Sequence, residues 1–375
     1  MADLENSMDK IAFPYRSSSH LVLLHVVAQS GAWAKYGLDV EYDRYIRSVE
    51  AQEAIEAGDV EFVGGNHVST YGLRARGSNW AYLGQTVNQV VHQLVVRPDS
   101  GINGIADLRG KKFGTKGSHP TLNNWLFLKQ RGLDLDRDDY EMINQLEIKP
   151  GTMDHVETGK KPPPLWHWVR DGVVDACLIG PPTSLFAQAA GLKVIDVDPL
   201  PMIQFTSVST NLKFVEKHPD IVDRFLRGLI EGIAFFKTRP QESIKIIQEE
   251  IAKPERMNQD QATFTYQTLA RTLEPKLYPT MAAIANVYEE ALRQDKDARR
   301  VNPMQLWDLH HIRRIDDSGF VDALYGNRRR GDDTHEHDGH EHRRPLSAKE
   351  VAGKLNEKLA VGHDCDEEGC TTPHH

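Results

Sequence analysis

The sequence predicts an α/β fold of two similar lobes, with mainly parallel sheets joined by a two-strand hinge and a disordered, histidine-rich C-terminal tail. Three observations carry this. A chain of 375 residues exceeds what one small core organises and suits two lobes of ordinary size. Short β-like apolar runs alternate with helix-like segments up to about residue 326, the pattern of α/β proteins. The layout helix, Gly stop, short strand, small-residue loop occurs at Ala54–Gly65 and again at Trp168–Gly180, about 115 residues later, as expected of two matched units that each bring a Gly-rich strand end to a common cleft.

In chain order, Ile11–Phe13 starts a strand, Tyr15–Ser19 is a polar loop, and an apolar helical stretch runs from His20 to Trp33. Val40–Tyr42 is a second strand. Ser48–Ala57 is a helix stopped by Gly58, and Val60–Val63 is a strand running into Gly64-Gly65. The Gly and Pro residues around 98–104 fit a crossing into the second lobe, with a return near Asp196–Pro201. Lys149–Pro164 reads as a loop insertion, and the helices from Phe214 onward pack on the first lobe or the hinge. Lobe I is therefore expected over 1–96 and 201–326, lobe II over 97–200, and the tail over 327–375.

Composition narrows the function. A formal charge of −9 supplies no general cationic field for phosphate backbones, so nucleic acid is not an expected partner. The first ten residues carry three acids and no apolar core of a signal segment, and no run of about 18 apolar residues follows, so membrane insertion is not expected and the expected compartment is cytoplasmic. Three cysteines do not build a disulfide framework, and Cys177 sits in an apolar run as a buried thiol.

An ordered set of segments resembles the periplasmic-binding-protein type II superfold, in the branch of sulfonate, taurine and nitrate binding proteins and the thiamine-pyrimidine-synthase-like proteins. The set is Gly31–Val40, Ala57–Gly65, Ile105–Gly114, Gly172–Ala176 and the helix around Pro219, together spanning roughly residues 11–240. The resemblance implies two lobes closing over a small ligand. The thiamine pyrimidine synthases depend on a lysine, a histidine shortly after it and a cysteine-rich run. Gly65 and Ser69 fall at the first two positions here and no cysteine-rich run exists, so that activity is not expected. The chain also resembles the sulfinate desulfinase of dibenzothiophene desulfurisation, which uses a first-loop cysteine and an arginine ahead of a Gly-Gly. Ser18 lies close to the first position and Phe62 stands in place of the arginine, so thiol-based desulfination is not expected either.

The polar groups suited to a cleft follow from these placements. Arg16, Ser17, Ser18 and Ser19 precede a helix, where hydroxyls, free N–H groups and a guanidinium bind an anion; the same serines also suit helix capping with Arg16 solvated. Gly64 and Gly65 allow close approach of a ligand to backbone, with Asn66 and His67 directly after them. Gly117, Ser118 and His119, followed by Pro120, face the cleft from lobe II on the strength of the resemblance, and Gly180 opens the matching lobe II loop. Gln85, Thr86 and Gln204 belong where hinge strands pass the cleft or on the surface. His67, His119 and His20 are the candidate acid or base groups and would meet only if the lobes close, whereas His25 reads as core.

These residues fix no cofactor; if His20, His67 and His119 converge, an N3 metal site is the alternative to an acid–base pair. The tail is a separate metal signal: His335, His337, His340, His342, His363, Cys365 and Cys370 offer ligands that suit Zn, Ni, Co or Cu, in spacings that define no closed site. The expected function is a cytoplasmic enzyme on a binding-protein frame acting on a small organic acid, aromatic or heteroaromatic, such as a decarboxylase or another lyase or hydrolase cleaving a carbon–heteroatom bond. The alternative is a non-catalytic solute-binding protein for a small anion (sulfonate, carboxylate or pyrimidine-like), with an ABC transporter as partner.

Overall fold

The strands are β1 (Asp9–Ala12), β2 (Leu38–Glu41), β3 (Val63–Gly64), β4 (Trp80–Gln89), β5 (Gln93–Val96), β6 (Lys112–Thr115), β7 (Glu141–Asn144), β8 (Ala176–Ile179), β9 (Lys193–Ile195) and β10 (Pro201–Asn211). They belong to a computed structural model that describes residues 8–16, 20–65, 67–90, 92–115, 124–144, 164–251 and 257–326. The helices in lobe I's first half are α1 (Leu21–Gln29), α2 (Ala32–Lys35), α3 (Ser48–Ala57) and α4 (Ser69–Ala75). Lobe II carries α5 (Asn124–Lys129), α6 (Trp166–Arg170) and α7 (Thr183–Ala189). The remainder comprises α8 (Leu212–Lys217), α9 (Pro219–Thr238), α10 (Pro240–Glu250), α11 (Gln259–Thr272), α12 (Met281–Gln294), α13 (His310–Asp317) and α14 (Phe320–Leu324).

The two halves share one sheet order. In lobe II the order is β7-β6-β8-β5-β9, with the β6 pairs parallel and the β5 pairs antiparallel. In lobe I, β2-β1 is a parallel pair and β3-β10-β4 an antiparallel trio. Backbone bonds join them beside β1: Phe62 N–H to Ala12 at 3.1 Å, Gly64 N–H to Pro14 at 2.9 Å and Arg16 N–H to Gly64 at 3.2 Å. The lobe I order is thus β2-β1-β3-β10-β4, the counterpart of the other. The expected α/β architecture and paired halves hold. The sheets are mixed rather than mainly parallel, because the strands that cross between lobes enter each sheet antiparallel.

The crossing itself lies earlier than the glycines and prolines suggest. Strand β5, expected within lobe I, pairs with β8 and β9, and Pro98–Gly104 follows it as a turn. Trp80 to Val96 mixes apolar residues with Gln85, Thr86, Asn88, Gln89, His92 and Gln93 and has no proline and no glycine after Gly84, so no glycine or proline marks where the chain passes from one sheet to the next. The outgoing and returning chains are bonded where they cross, Val90 N–H to Leu200 at 2.8 Å. The hinge is therefore two-stranded, and the return at Asp196–Leu200 lies where expected.

Helix packing holds β1 and β3 rigid. The predicted helix from His20 to Trp33 is broken into α1 and α2 at Gly31, whose φ of 74° is left-handed. Both pieces lie on α9, which begins at Pro219 as predicted. The α9 face is Gly228 and Gly232, one turn apart. A Cβ at these positions would fall 2.4 Å from Trp33 Cδ1 and 2.6 Å from Val27 Cγ1, so a larger residue would push the helices apart. Beneath the strand ends, Phe225 stacks on Phe62 at 4.1 Å and on Trp33 at 5.6 Å and meets Phe13 edge-on at 4.9 Å. Each such aromatic pair adds about 0.5–1.5 kcal/mol beyond buried area. Cys177 is fully buried on β8 and burial pushes its thiol pKa up, leaving an unreactive thiol as the sequence suggested. His25 is half-buried rather than core: its Nδ1 lies 3.1 Å from the Tyr42 hydroxyl and 3.9 Å from Glu250.

Candidate functional site

The strand ends of β1 and β3 sit side by side, so the residues that follow each strand meet. Arg16 follows β1 and donates through Nη1 to the Ile46 carbonyl at 2.5 Å, while its Nε is buried with no partner among the described residues. His20 opens α1 and is 4% exposed, and His67 is 7% exposed. His20 Nδ1 and His67 Nε2 are likewise buried without a partner among the described residues. Three buried polar atoms unpartnered among the described residues thus gather at one strand end, and each calls for a hydrogen-bond partner.

Gly65 makes that assembly possible. Its φ is 114°, and a Cβ there would lie 3.1 Å from both Arg16 Cγ and His20 Cε1. No L residue fits this turn without moving a member of the site. Gly65 is fixed from the other side by β10: its N–H bonds to the Ser207 carbonyl at 3.0 Å, and its carbonyl accepts from Ser209 Oγ at 2.8 Å.

The electrostatics are those of a cationic pocket with neutral imidazoles. Burial lowers the His20 pKa to about 3, with His67 and Arg16 adding repulsion. Burial lowers His67 to about 4, a hydrogen bond to the Phe205 backbone opposing and Arg16 reinforcing the shift. Burial also lowers the Arg16 pKa. At neutral pH the site therefore holds one guanidinium and two uncharged rings, an arrangement that an incoming anion would stabilise. His67 is positioned from behind: the Tyr82 hydroxyl donates to its carbonyl at 3.2 Å, shares a short hydrogen bond with Thr70, and has its ring packed against Trp307 at 4.7 Å.

Of the predicted site residues, Arg16, His20, Gly64, Gly65 and His67 come together. Ser17, Ser18, Ser19, Asn66, Gly117, Ser118 and His119 lie outside the described residues, as do all seven tail positions from His335 to Cys370. Among the described residues no group of three or more His, Cys, Asp or Glu is placed to hold a metal ion. Gly180 directly follows β8 and leads toward α7; the adjacent Pro181 lines a cavity of about 10 Å³ with Val22, Phe205, Thr265, Thr268 and Leu269. Gln204 belongs to β10. Gln85 and Thr86 are fully buried hinge residues: Gln85 bonds to Ser207, and Thr86 Oγ1 donates to the Thr206 carbonyl at 2.8 Å.

Sequence reasoning missed Phe205. Between Gln204↔Val87 and Ser207↔Gln85, β10 carries one residue more than β4, and Phe205 in this bulge has φ 56°. Its ring lies 6.4 Å from that of His20. Nothing in the local sequence marks a bulge, since no glycine stands there.

A two-lobed α/β frame hinged on paired strands, with the site at the strand ends, is the periplasmic-binding-protein type II fold. Residues 20–161 match the family model described as NMT1/THI5 like, in accord with the resemblance the sequence carries. No curated protein matches the chain. Among solved structures, the chain is similar to the periplasmic aliphatic sulphonate binding protein SsuA of Escherichia coli, at 16% identity and TM-score 0.57, over 80% of this chain and 99% of that one. It is similar to the alkanesulfonate-binding protein SsuA of Xanthomonas axonopodis pv. citri bound to MOPS, at 14% identity and TM-score 0.54, over 80% and 98%. A mutant of DSZB in complex with biphenyl-2-sulfinic acid matches at 16% identity and TM-score 0.56, over 83% and 99%. At these identities the likeness concerns the fold.

Proposed function

We propose that this protein binds a small organic anion between its lobes, seating the acid group on Arg16, His20 and His67 at the Gly64-Gly65 strand end. One observation supports this above the rest: three buried polar atoms, Arg16 Nε, His20 Nδ1 and His67 Nε2, have no partner among the described residues. An acid group supplies acceptors to Arg16 Nε–H and to the ring nitrogen of whichever histidine, His20 or His67, takes up a proton as the anion raises its pKa. That SsuA proteins bind sulfonates, and that DSZB was solved with a sulfinic acid, agrees with this ligand chemistry.

Catalysis is the second reading, favoured by the histidine pair. Beside a bound acid, a protonated His67 can deliver its proton to the carbon from which a carboxylate leaves as carbon dioxide, so that R–CO2⁻ and H⁺ become R–H and CO2. The two readings separate in one experiment. Purified protein is incubated with sulfonates, sulfinates and aromatic carboxylic acids, and the ligand is recovered after thermal-shift measurement. Intact ligand with a raised Tm supports binding alone; product formation abolished by His67→Ala supports the enzyme; neither effect for any acid rejects both. We further propose the cytoplasm as compartment and the tail histidines and cysteines as a metal-holding segment apart from this site.

A further inference from the structure

We propose that Phe205 determines the size of the organic group this protein accepts, restricting it to short aliphatic acids; this rests on the reading of Arg16, His20 and His67 as the acid seat. Phe205 lies near His20 of that seat and near Pro181 of lobe II. Its ring is 6.4 Å from His20, and it lines the same small cavity as Pro181, the residue after Gly180. The cavity measures about 10 Å³, the space of a single water, whereas holding a benzene ring takes on the order of 150 Å³. The cavity is lined by Phe205 but not by Arg16, His20 or His67, so on this proposal an acid held at the seat reaches it only past the Phe205 ring.

The backbone makes the placement deliberate. A bulky residue with φ 56° is strained, and such strain persists where surrounding bonds over-determine it. Here they do on the C-terminal flank, where Thr206 accepts from Thr86, Ser207 is bonded through its side chain to Gln85 and the Ser207 carbonyl accepts from Gly65, while on the N-terminal flank Gln204 is held in register with Val87 of β4. The bulge turns the Phe205 side chain toward α1 and Pro181, and the same bulge presents backbone to His67. The specificity residue and the acid seat are thus fixed by one distortion of the hinge strand.

The test is calorimetry on the full chain with methanesulfonate and acetate against naphthalene-1-sulfonate and 1-naphthoate. Wild type should bind the small acids and discriminate against the aromatic ones. Phe205→Gly, which relieves the positive φ, and Phe205→Ala should each move the aromatic-to-small affinity ratio at least tenfold toward the aromatic acids. Phe205→Leu, which refills the space, should move it less. If small acids bind and the ratio stays within twofold of wild type in both Gly and Ala variants, with thermal melts showing folded protein, Phe205 is not the size filter and the acid seat stands. If wild type binds none of the four acids, the acid seat itself is wrong and the inference falls with it.

Discussion

The two lobes share a sheet order and differ in what their third strand leaves exposed to the cleft. Beyond β3 in lobe I come Gly65 at positive φ and His67, next to Arg16 and His20 with unpartnered buried atoms. Beyond β8 in lobe II come Gly180, Pro181 and Pro182, and Ser184 at the start of α7 is already bonded through Oγ to Gln93 at 2.7 Å. One strand end is thus unsatisfied and charged, the other satisfied and stiff. The difference teaches that, of these two strand ends, only the one in lobe I has unpartnered buried polar atoms among the described residues, and it is there that the proposed reading seats the ligand.

Removing the cation is the strongest challenge to that contrast. Arg16→Ala should weaken binding of a small organic acid by roughly 100-fold or more, since losing one partner of a buried charged contact costs about 2–5 kcal/mol. Calorimetry that finds unchanged affinity would falsify the assignment of recognition to lobe I.

The histidine pair gives the next largest effect. The folded pKa values of about 3 for His20 and about 4 for His67 lie below the unfolded value near 6.5. Between these limits the unfolded chain binds more protons, so the stability these groups confer is complete above about pH 6.5 and is lost as the pH falls toward their folded values. His67→Gln should flatten urea-derived stability against pH by up to about 3 kcal/mol across that window. In the presence of ligand the sign reverses: the anion favours protonated histidine, so affinity should rise as pH falls from 7, and a flat binding profile would dissociate the pair from the ligand.

Gly65→Ala comes third, with an expected loss of about 1–3 kcal/mol from a strained φ, together with weaker binding as Arg16 or His20 is displaced. An alanine variant as stable as wild type would show the strand end to be looser than its contacts imply. Ser184→Ala sharpens the contrast from the other side: about 1 kcal/mol of stability should go with the Gln93 bond, and ligand affinity should stay put. The smallest effect is expected in the tail. Alanine at His335, His337, His340, His342, His363, Cys365 and Cys370 together in the full chain should abolish tail-dependent Ni²⁺ retention by equilibrium dialysis while acid binding and Tm hold at wild-type values.

Much of this was legible in the chain. Gly58 after Ser48–Ala57, Pro219 at the start of α9 and the Ala54–Gly65 echo with Trp168–Gly180 each mark local backbone requirements, and local requirements are written in adjacent residues. Arg16, Gly64, Gly65 and His67 were legible because a small-residue strand end announces itself. The passage from β4 to β5 was not, because no glycine or proline separates the two strands in the sequence. Gln85 and Thr86 gave no sign of whether they faced water or each strand's partner; only the pairing of β4 with β10 assigns them to the hinge interior.

What the sequence determined by itself is the frame: alternating elements, two matched units and the glycines without which the turn after β3 cannot form. The tertiary structure alone decided that Arg16, His20 and His67 lie together, each with one buried nitrogen unpartnered among the described residues, and that Phe205 lies near both His20 and Pro181. These are contacts between segments up to about 190 residues apart, created when β10 returns from lobe II and bulges beside β3. Periodicity and turn chemistry act over a few residues; burial, which neutralises the histidines, and strain, which aims Phe205, are properties of a neighbourhood that exists only once the chain has closed on itself.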